Sequence, residues 1–356
     1  MTILQRSITQ LFSLSGCLTL LVLLTGCADL RYYMDISAGH FELMSDRKEI
    51  AAILKDPHEP QALRDKLATL LAIRTFAIEQ VGLPDNGSYL HYKDLQRPYA
   101  QWTLFATPAY SLQPIPSCFW VVGCVNYRVY FSEAKARKQA SLLDKNIDYY
   151  LGNSPAYSTL GWFHDPVLNS MLSWSDAQTA EFLFHELAHQ RFYIKNESAI
   201  NESFAVAVEQ IAVRQWLQAS NRHKQLTQYE RQLDIEKQFS LWIANARRDL
   251  EKLYANPSLS DTEKKAQKAQ IFARLQDLYR EESRHWEKPY YKKWFAQELN
   301  NAHLLAISTY SDYVPAFLAL FAQSKQQWPV FFAAAQRLED VSPEERRQRL
   351  QALGHF

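Results

Sequence analysis

Two histidines and a glutamate in the run His185-Glu186-Leu187-Ala188-His189 have the spacing of a metal-dependent hydrolase site. Histidines four residues apart lie on one face of a helix, so both imidazoles can bind one metal ion. Glu186 between them is placed to accept a proton from a water that the metal activates. Glu202 follows 13 residues after His189 and is the candidate third ligand. These residue types predict zinc-dependent hydrolysis, with Glu186 as the general base and a peptide as the substrate.

Three further side chains are candidates for supporting roles near this motif. Tyr310 and Tyr313 interrupt an apolar segment, and either could donate the hydroxyl that stabilises the transition-state oxyanion; core packing with a satisfied hydroxyl is the alternative. Glu209 lies seven residues after Glu202 on the same helix face, where it could accept a hydrogen bond from a ligand imidazole or form an ordinary ion pair. Two more residues share the face of the histidines without a role that the sequence defines: Glu181 and Tyr193.

A buried polar network is the alternative to a metal site. The predicted helix around the motif has an apolar majority, and two histidines and a glutamate are costly to bury there without partners. Metal coordination would supply those partners. Ser175 and Gln178 form a capping box that begins this helix. A second helix, predicted from Glu197 or Ser198 to about Ala219, carries the third ligand.

The composition is that of a globular chain with enough length for a large core. Of its 356 residues, 47% are hydrophobic and 22% are charged. The formal net charge of +1 argues against nucleic acid as a partner, because nucleic-acid-binding surfaces carry a basic excess.

The N-terminus has the features of an exported protein. Arg6 precedes an apolar stretch from Leu11 to Leu24, which is too short for a confident membrane span. The run Leu24-Thr25-Gly26-Cys27 resembles the lipobox of bacterial lipoproteins, in which the cysteine becomes the lipidated N-terminus. We therefore expect a signal peptide over residues 1–26, a lipid anchor on Cys27 and a place in the bacterial cell envelope. An uncleaved signal anchor is the alternative.

Two cysteines remain for the folded part of the chain. Cys118 and Cys124 flank a short loop, and an oxidising periplasm would allow a disulfide between them. Two free, buried thiols are the alternative.

A set of motifs spread along the chain resembles the bacterial predicted-aminopeptidase family, over roughly residues 32–350. The resemblance implies a lipoprotein or exported protein with a gluzincin-type zinc site, in which His185, His189 and Glu202 bind Zn²⁺ and Glu186 is the base. Because Ala28 follows the lipobox cysteine, the bacterial sorting rule points to the outer membrane, facing the periplasm. The matching segments are Phe184–Gln190, Asn201–Ala205, Ala156–Phe163 with Asp165-Pro166, the Cys118/Cys124 loop and Asn300–Ala302.

The chain departs from better-known gluzincins at two points. Val206 stands four residues after Glu202, where thermolysin-like enzymes have an aspartate. The sequence also lacks the Gly-x-Met-Glu-Asn element with which gluzincin aminopeptidases grip the substrate amine.

The sequence predicts a mainly α (α+β) fold, with a zincin-like helical core, a long helical hairpin and a small β-sheet at about 87–160 beside the active-site helix. After the leader we expect a zincin-like catalytic region (27–220), a helical hairpin insertion (221–286) and a C-terminal helical part of the catalytic domain (287–356).

Several local expectations accompany this division. They are a helix near 47–54, a helix from Ser132 to about Asp148, an edge strand for peptide within Gly152–Leu160, a capping box at Ser260/Glu263, and a return to the core from Trp294 to Phe321.

Three functions are consistent with the sequence. The first is a membrane-tethered zinc metallopeptidase that acts on peptides or unfolded proteins. The second is an envelope lipoprotein whose hairpin (221–286) binds a protein partner, with a vestigial or structural metal site; a merely solvated hairpin is the simpler interpretation of that segment. The third is a zinc hydrolase that acts on cell-wall peptides.

Overall fold

A computed structural model describes residues 30–119, 123–159, 161–307 and 313–354. Within these ranges the chain is mainly helical with small sheets of two or three strands, which confirms the predicted fold class. The leader (1–26), Cys27 and Tyr310 lie outside the described residues. None of the helices described is both long and apolar enough to span a bilayer.

The helices are α1 (30–44), α2 (Ile50–Lys55), α3 (Gln61–Phe76), α4 (Glu133–Ala140), α5 (Asp176–Arg191), α6 (Ser198–Ala219), α7 (His223–Ala255), α8 (Asp261–Glu282), α9 (Lys292–Phe295), α10 (Asn301–Ile307), α11 (Val314–Gln323), α12 (Trp328–Gln336) and α13 (Pro343–Gly354). The strands are β1 (Lys48–Glu49), β2 (His91–Lys93), β3 (Gln101–Pro108), β4 (Ser117–Phe119), β5 (Gly123–Val125), β6 (Arg128–Tyr130), β7 (Ile147–Ser154) and β8 (Val167–Leu168).

Three small sheets surround the helices. One has the order β1-β2-β8, with β2 and β8 parallel, and β8 leads into α5. A second has the order β6-β3-β7 and is antiparallel throughout. The third is the hairpin β4-β5, in which a disulfide joins Cys118 and Cys124.

The main core is built around α5 and α6, which pack against each other along their length. Helix α3 covers α5, and α11 covers α6. Phe204 of α6 is fully buried and stacks on Phe331 of α12, with ring centroids 5.6 Å apart. Because the two helices that carry the chemistry are interior elements, their side chains are held by packing on several sides.

A second core lies under the α7–α8 hairpin. Phe239, Leu250 and Phe272 of the hairpin pack against Trp294 and Phe295 of α9. The expected return to the core from Trp294 is confirmed as burial, but the segment is divided: Trp294 to Leu304 join this second core, and the chain packs on the main core from Tyr313 onward.

The local expectations have mixed outcomes. Both capping boxes are present, at Ser175/Gln178 and at Ser260/Glu263. The helix that follows Ser132 ends at Ala140 and not near Asp148, because residues from Ile147 onward pair with β3. The expected edge strand is wrong beyond Ser154, where β7 ends. The structure also shows α1, a helix that the sequence analysis missed.

Candidate metal centre

The motif helix α5 begins and is buried as its sequence dictates. Ser175 Oγ accepts a hydrogen bond from the Gln178 amide, and the Gln178 side chain accepts one from the Ser175 amide, so free N–H groups at the helix start are paired. Leu183, Phe184 and Leu187 are fully buried on one side. The histidines occupy the adjoining face, where the side chain of His185 retains 19% of its exposure and that of His189 retains 4%.

Asn201 fixes the connection from α5 to α6. Its side-chain Oδ1 accepts a hydrogen bond from the Ile194 amide at 2.8 Å, and its Nδ2 donates to the Ile194 carbonyl at 2.8 Å. Asn201 is 2% exposed, so water cannot replace these bonds. Ala205 is fully buried and its small side chain suits the close packing of the two helices. The connection thereby sets the position of Glu202, the next residue along α6.

Three ligand atoms converge between the two helices. The Nε2 atoms of His185 and His189 are 3.1 Å apart. Oε2 of Glu202 lies 3.3 Å from the first and 3.5 Å from the second. Two ligand atoms about 2.0–2.1 Å from one zinc ion at the tetrahedral angle are roughly 3.3–3.4 Å apart. The triangle therefore fits a tetrahedral divalent metal ion, and two imidazoles with one carboxylate are a donor set that zinc accepts.

Glu209 lies behind the first histidine. Its Oε2 is 3.0 Å from Nδ1 of His185, the ring nitrogen that does not face the other two ligands. This is the arrangement in which a carboxylate orients a metal-binding imidazole. Val206, one helical turn earlier, packs against the main core instead. The acceptor for His185 thus lies one turn of α6 beyond Val206.

The charges around the triangle favour a bound cation. Burial lowers the pKa of His185, but hydrogen bonds to Glu202 and Glu209 and the nearby negative charges raise it, to about 10. Burial raises the pKa of Glu202, but the two histidines lower it to about 2. With the metal absent, a proton on His185 offsets the carboxylates. A metal ion would take over that role by displacing the proton.

Further carboxyl groups lie deeper behind Glu209. Burial, with the charges of Glu209 and Glu236, raises the pKa of Glu181 well above its usual range. Burial likewise raises the pKa of Glu236 to about 7. Gln232 of α7 donates to both of these carboxyl groups, at 3.1 and 2.9 Å. Glu181 is therefore part of a buried polar layer between α5 and α7.

Asp165 is a site residue that the sequence analysis quoted only as part of a family motif. It is fully buried, and its carboxylate accepts hydrogen bonds from the Thr159 amide and hydroxyl, both at 2.8 Å. Burial raises its pKa to about 6, and the neighbouring charge of Glu186 contributes to that rise. Asp165 thus holds Thr159 close to the start of β8, within reach of the charge of the candidate general base. Asp165 and Glu186 are brought close only by the fold, so no local sequence pattern indicated a role for Asp165.

The tyrosines differ in their relation to the site. Tyr313 donates its backbone amide to Ser203 Oγ at 3.1 Å, and its side chain packs against the main core. Tyr193 is 54% exposed. Tyr127 was not among the sequence-predicted site residues. Burial is the main cause that raises its pKa, and the nearby negative charge of Glu202 raises it further.

Comparison with known proteins adds a family assignment. Searches of curated proteins and of solved structures gave no match. A protein-family model described as "Putative aminopeptidase" matches residues 31–350, which includes all three candidate ligands and Glu186. A match over that much of the chain shows the family, so this protein belongs to the putative aminopeptidase family.

Proposed function

We propose that the protein is a zinc-dependent metallopeptidase whose metal is held by His185, His189 and Glu202. The observation that carries the proposal is the triangle of two Nε2 atoms and one carboxylate oxygen, with sides of 3.1 to 3.5 Å. Family membership supports peptide-bond hydrolysis as the reaction. Three protein ligands leave one tetrahedral position for the reactants, which is typical of catalytic zinc sites.

Glu186 is the residue that we assign to proton transfer. A zinc ion in this site would lower the pKa of a water to about 7 and polarise the scissile carbonyl. The Glu186 carboxylate then accepts the proton of the attacking water and passes it to the leaving amine. Its position between two ligands on α5 keeps it next to the reacting atoms.

The oxyanion requires a hydrogen-bond donor, and Tyr127 is the described tyrosine that we assign to this role. Its side chain is 42% exposed and lies close enough to Glu202 to sense its charge. Replacing Tyr127 with Phe should lower kcat by about 10²–10³-fold while KM changes little, because the lost hydrogen bond forms in the transition state. An unchanged kcat would contradict this assignment and leave Tyr310 as the candidate donor to the oxyanion.

Metal analysis and peptide cleavage test the function. The purified full chain should contain one zinc ion per molecule, and Glu186→Gln should retain that zinc while losing about 10²–10⁴-fold in kcat. Glu298→Gln, on an exposed loop residue, is the control and should remain active. Aminoacyl anilides and N-acetylated peptides should be compared, because only an aminopeptidase requires a free amine. A zinc-free protein, or full activity in Glu186→Gln, would disprove the proposal.

We also propose that a lipid on Cys27 tethers the enzyme to the outer membrane of a bacterial cell, facing the periplasm. The lipobox-like run before that residue supports the anchor. Mass spectrometry of the N-terminal peptide would detect the acyl groups. An intact leader would instead support a signal anchor.

A further inference from the structure

Helix α1 exposes an apolar stripe to solvent. Leu30, Met34 and Phe41 are 60%, 58% and 72% exposed. At 100° per residue their side chains point within about 40° of one another, so they form one face of the helix. Ser37 and Ala38 are also exposed in this helix, and neither carries a charge. An amphipathic helix normally turns such a face inward.

The opposite side of α1 is already occupied by protein. Leu43 is fully buried in the main core. Gly39 approaches Phe131 so closely that a Cβ there would come within 2.2 Å of the ring. Helix α1 is therefore docked on the protein through the side opposite to its apolar stripe.

An exposed aromatic loop packs against the flank of α1 beside the apolar stripe. Trp162 is 85% exposed and Phe163 is 52% exposed. The Phe163 ring lies 4.6 Å from the ring of His40 on α1, centroid to centroid, and Arg47 donates to the carbonyl of His164. Tryptophan is rarely left so exposed in soluble proteins, and an apolar patch of this kind marks an interaction surface.

The same loop also contacts the motif helix α5. Gly161 has a φ of 82°, and a Cβ there would meet the side chain of Gln190 at 2.8 Å. Gln190 directly follows the ligand His189. The loop that carries Trp162 and Phe163 thus contacts α1 through His40 and the motif helix α5 through Gln190.

Cys27, the proposed lipidation site, lies only a few residues before this surface in the sequence. Leu30 lies three residues after Cys27, a distance of at most about 11 Å in an extended chain. A lipid on that cysteine would hold the first turn of α1 at the membrane surface. We propose that Leu30, Met34, Phe41, Trp162 and Phe163 insert into the interfacial region of a phospholipid bilayer. The proposal rests on the acylation of Cys27 put forward above.

The polar groups that flank the surface suit this contact. Arg31 is exposed beside Leu30 and can meet phosphate headgroups. Asp35 is paired with Lys135 at 2.6 Å, and Glu42 with Arg97 at 2.6 Å, so both acidic groups of α1 are compensated. Tryptophan and phenylalanine are also favoured at the level of lipid headgroups.

Fluorescence quenching by brominated lipids tests the contact. The acylated full chain is reconstituted in phosphatidylethanolamine–phosphatidylglycerol vesicles, with and without phospholipid brominated on its acyl chains. Brominated lipid should lower the tryptophan emission of the natural protein, and Trp162→Phe should lose most of that quenching. The double variant Met34→Lys/Phe41→Lys should lose part of it as well. Leu241→Lys, at a 57% exposed position on α7, is the control and should behave like the natural protein.

The outcomes separate the possible occupants of the surface. Quenching that Trp162→Phe leaves unchanged would overturn the proposal. Cross-linking of this surface to a second copy of the chain, without quenching, would also overturn it and would indicate a dimer contact. A Trp162→Phe variant whose only effect is a higher KM for a soluble peptide in detergent would overturn it as well and would indicate a substrate contact. If mass spectrometry shows no acyl groups on Cys27 and Trp162 is still quenched, the membrane surface is upheld and only the lipid anchor fails.

Discussion

Glu209 is the residue that can orient His185 for metal binding. Its carboxylate accepts from Nδ1 of His185 at 3.0 Å, which leaves Nε2 of that ring directed at Glu202 and His189. A histidine held in this tautomer presents its lone pair to the metal. Glu209 can thus accept the hydrogen bond that Val206, with its apolar side chain, cannot accept.

Glu209→Ala should weaken zinc binding by about 10–100-fold, because the ring of His185 loses the acceptor that orients it. Competition with a fluorescent chelator would measure this affinity. Glu230→Ala is the matched control. It removes the ion pair between Glu230 of α7 and Arg214 of α6 and should leave zinc affinity unchanged.

Zinc binding should depend on pH through His185. Its pKa of about 10 means that at pH 7 the metal displaces one proton, whereas Glu202, with a pKa of about 2, is already ionised. Affinity should therefore fall about tenfold for each pH unit lowered between 8 and 6. Calorimetry in buffers of different ionisation enthalpy would count the released proton. Affinity that is independent of pH would contradict the assignment.

At the scale of elements, the α5–α6 connection determines whether the ligands meet. The histidines share one helix, so their mutual position follows from its geometry. Glu202 sits on another helix, and the two hydrogen bonds between Asn201 and Ile194 fix how the chain enters it.

Asn201→Ala should lower the free energy of unfolding by about 1–3 kcal/mol, because the amide and the carbonyl of Ile194 lose the buried side chain that pairs with both of them. Zinc affinity should fall in parallel, since the start of α6 is no longer fixed. Thermal unfolding and chelator competition would measure the two effects. Asn256→Ala removes a comparable bond to the Ser258 amide in an exposed turn and should have a much smaller effect.

At the scale of the whole molecule, the C-terminal helix α13 is tied to the start of α6. Arg346 is 5% exposed and donates to the carbonyls of Leu338 and Val341 and to the carboxylate of Glu197 at 3.0 Å. Glu197 immediately precedes α6. The end of the chain thereby supports the helix that carries the third ligand.

Arg346→Ala should cost about 2 kcal/mol of stability, less than the loss of a fully buried partner, because Glu197 remains partly exposed. Chemical denaturation would measure the difference. Arg349→Ala, which removes an exposed pair with Glu345 in the same helix, should change stability by less than about 0.5 kcal/mol. Equal effects of the two changes would contradict the assigned role of Arg346.

The hairpin is more than a solvated appendage. Leu226 and Leu233 of α7 pack on the main core, and Phe239 begins the second core. Deletion of the whole segment would therefore expose apolar surface of the catalytic part. A partner-binding role for the hairpin is better tested by substitutions on its exposed face, such as Leu241→Lys.

There is a physical reason why α1 could not be predicted from the sequence. Sequence patterns reveal a helix by an apolar face that alternates with a polar one. In α1 the buried side includes Gly39, and the exposed side includes Met34 and Phe41, so both faces are mixed. The error at the end of α4 is similar: residues 141–146, two leucines among polar residues, continue a helical pattern, and only the pairing of β7 with β3 shows that the chain has left the helix.

The amino-acid sequence by itself determined the local chemistry. Helical spacing places His185 and His189 on one face, and capping residues mark where α5 begins. The tertiary structure decided what depends on distant parts of the chain: the distances from Glu202 to both histidines, the contact of Glu209 with His185, and the burial of Asp165 beside Glu186. Side-chain periodicity acts over a few residues, whereas a metal site needs atoms from separate helices to meet within a few ångströms, and only packing fixes that distance.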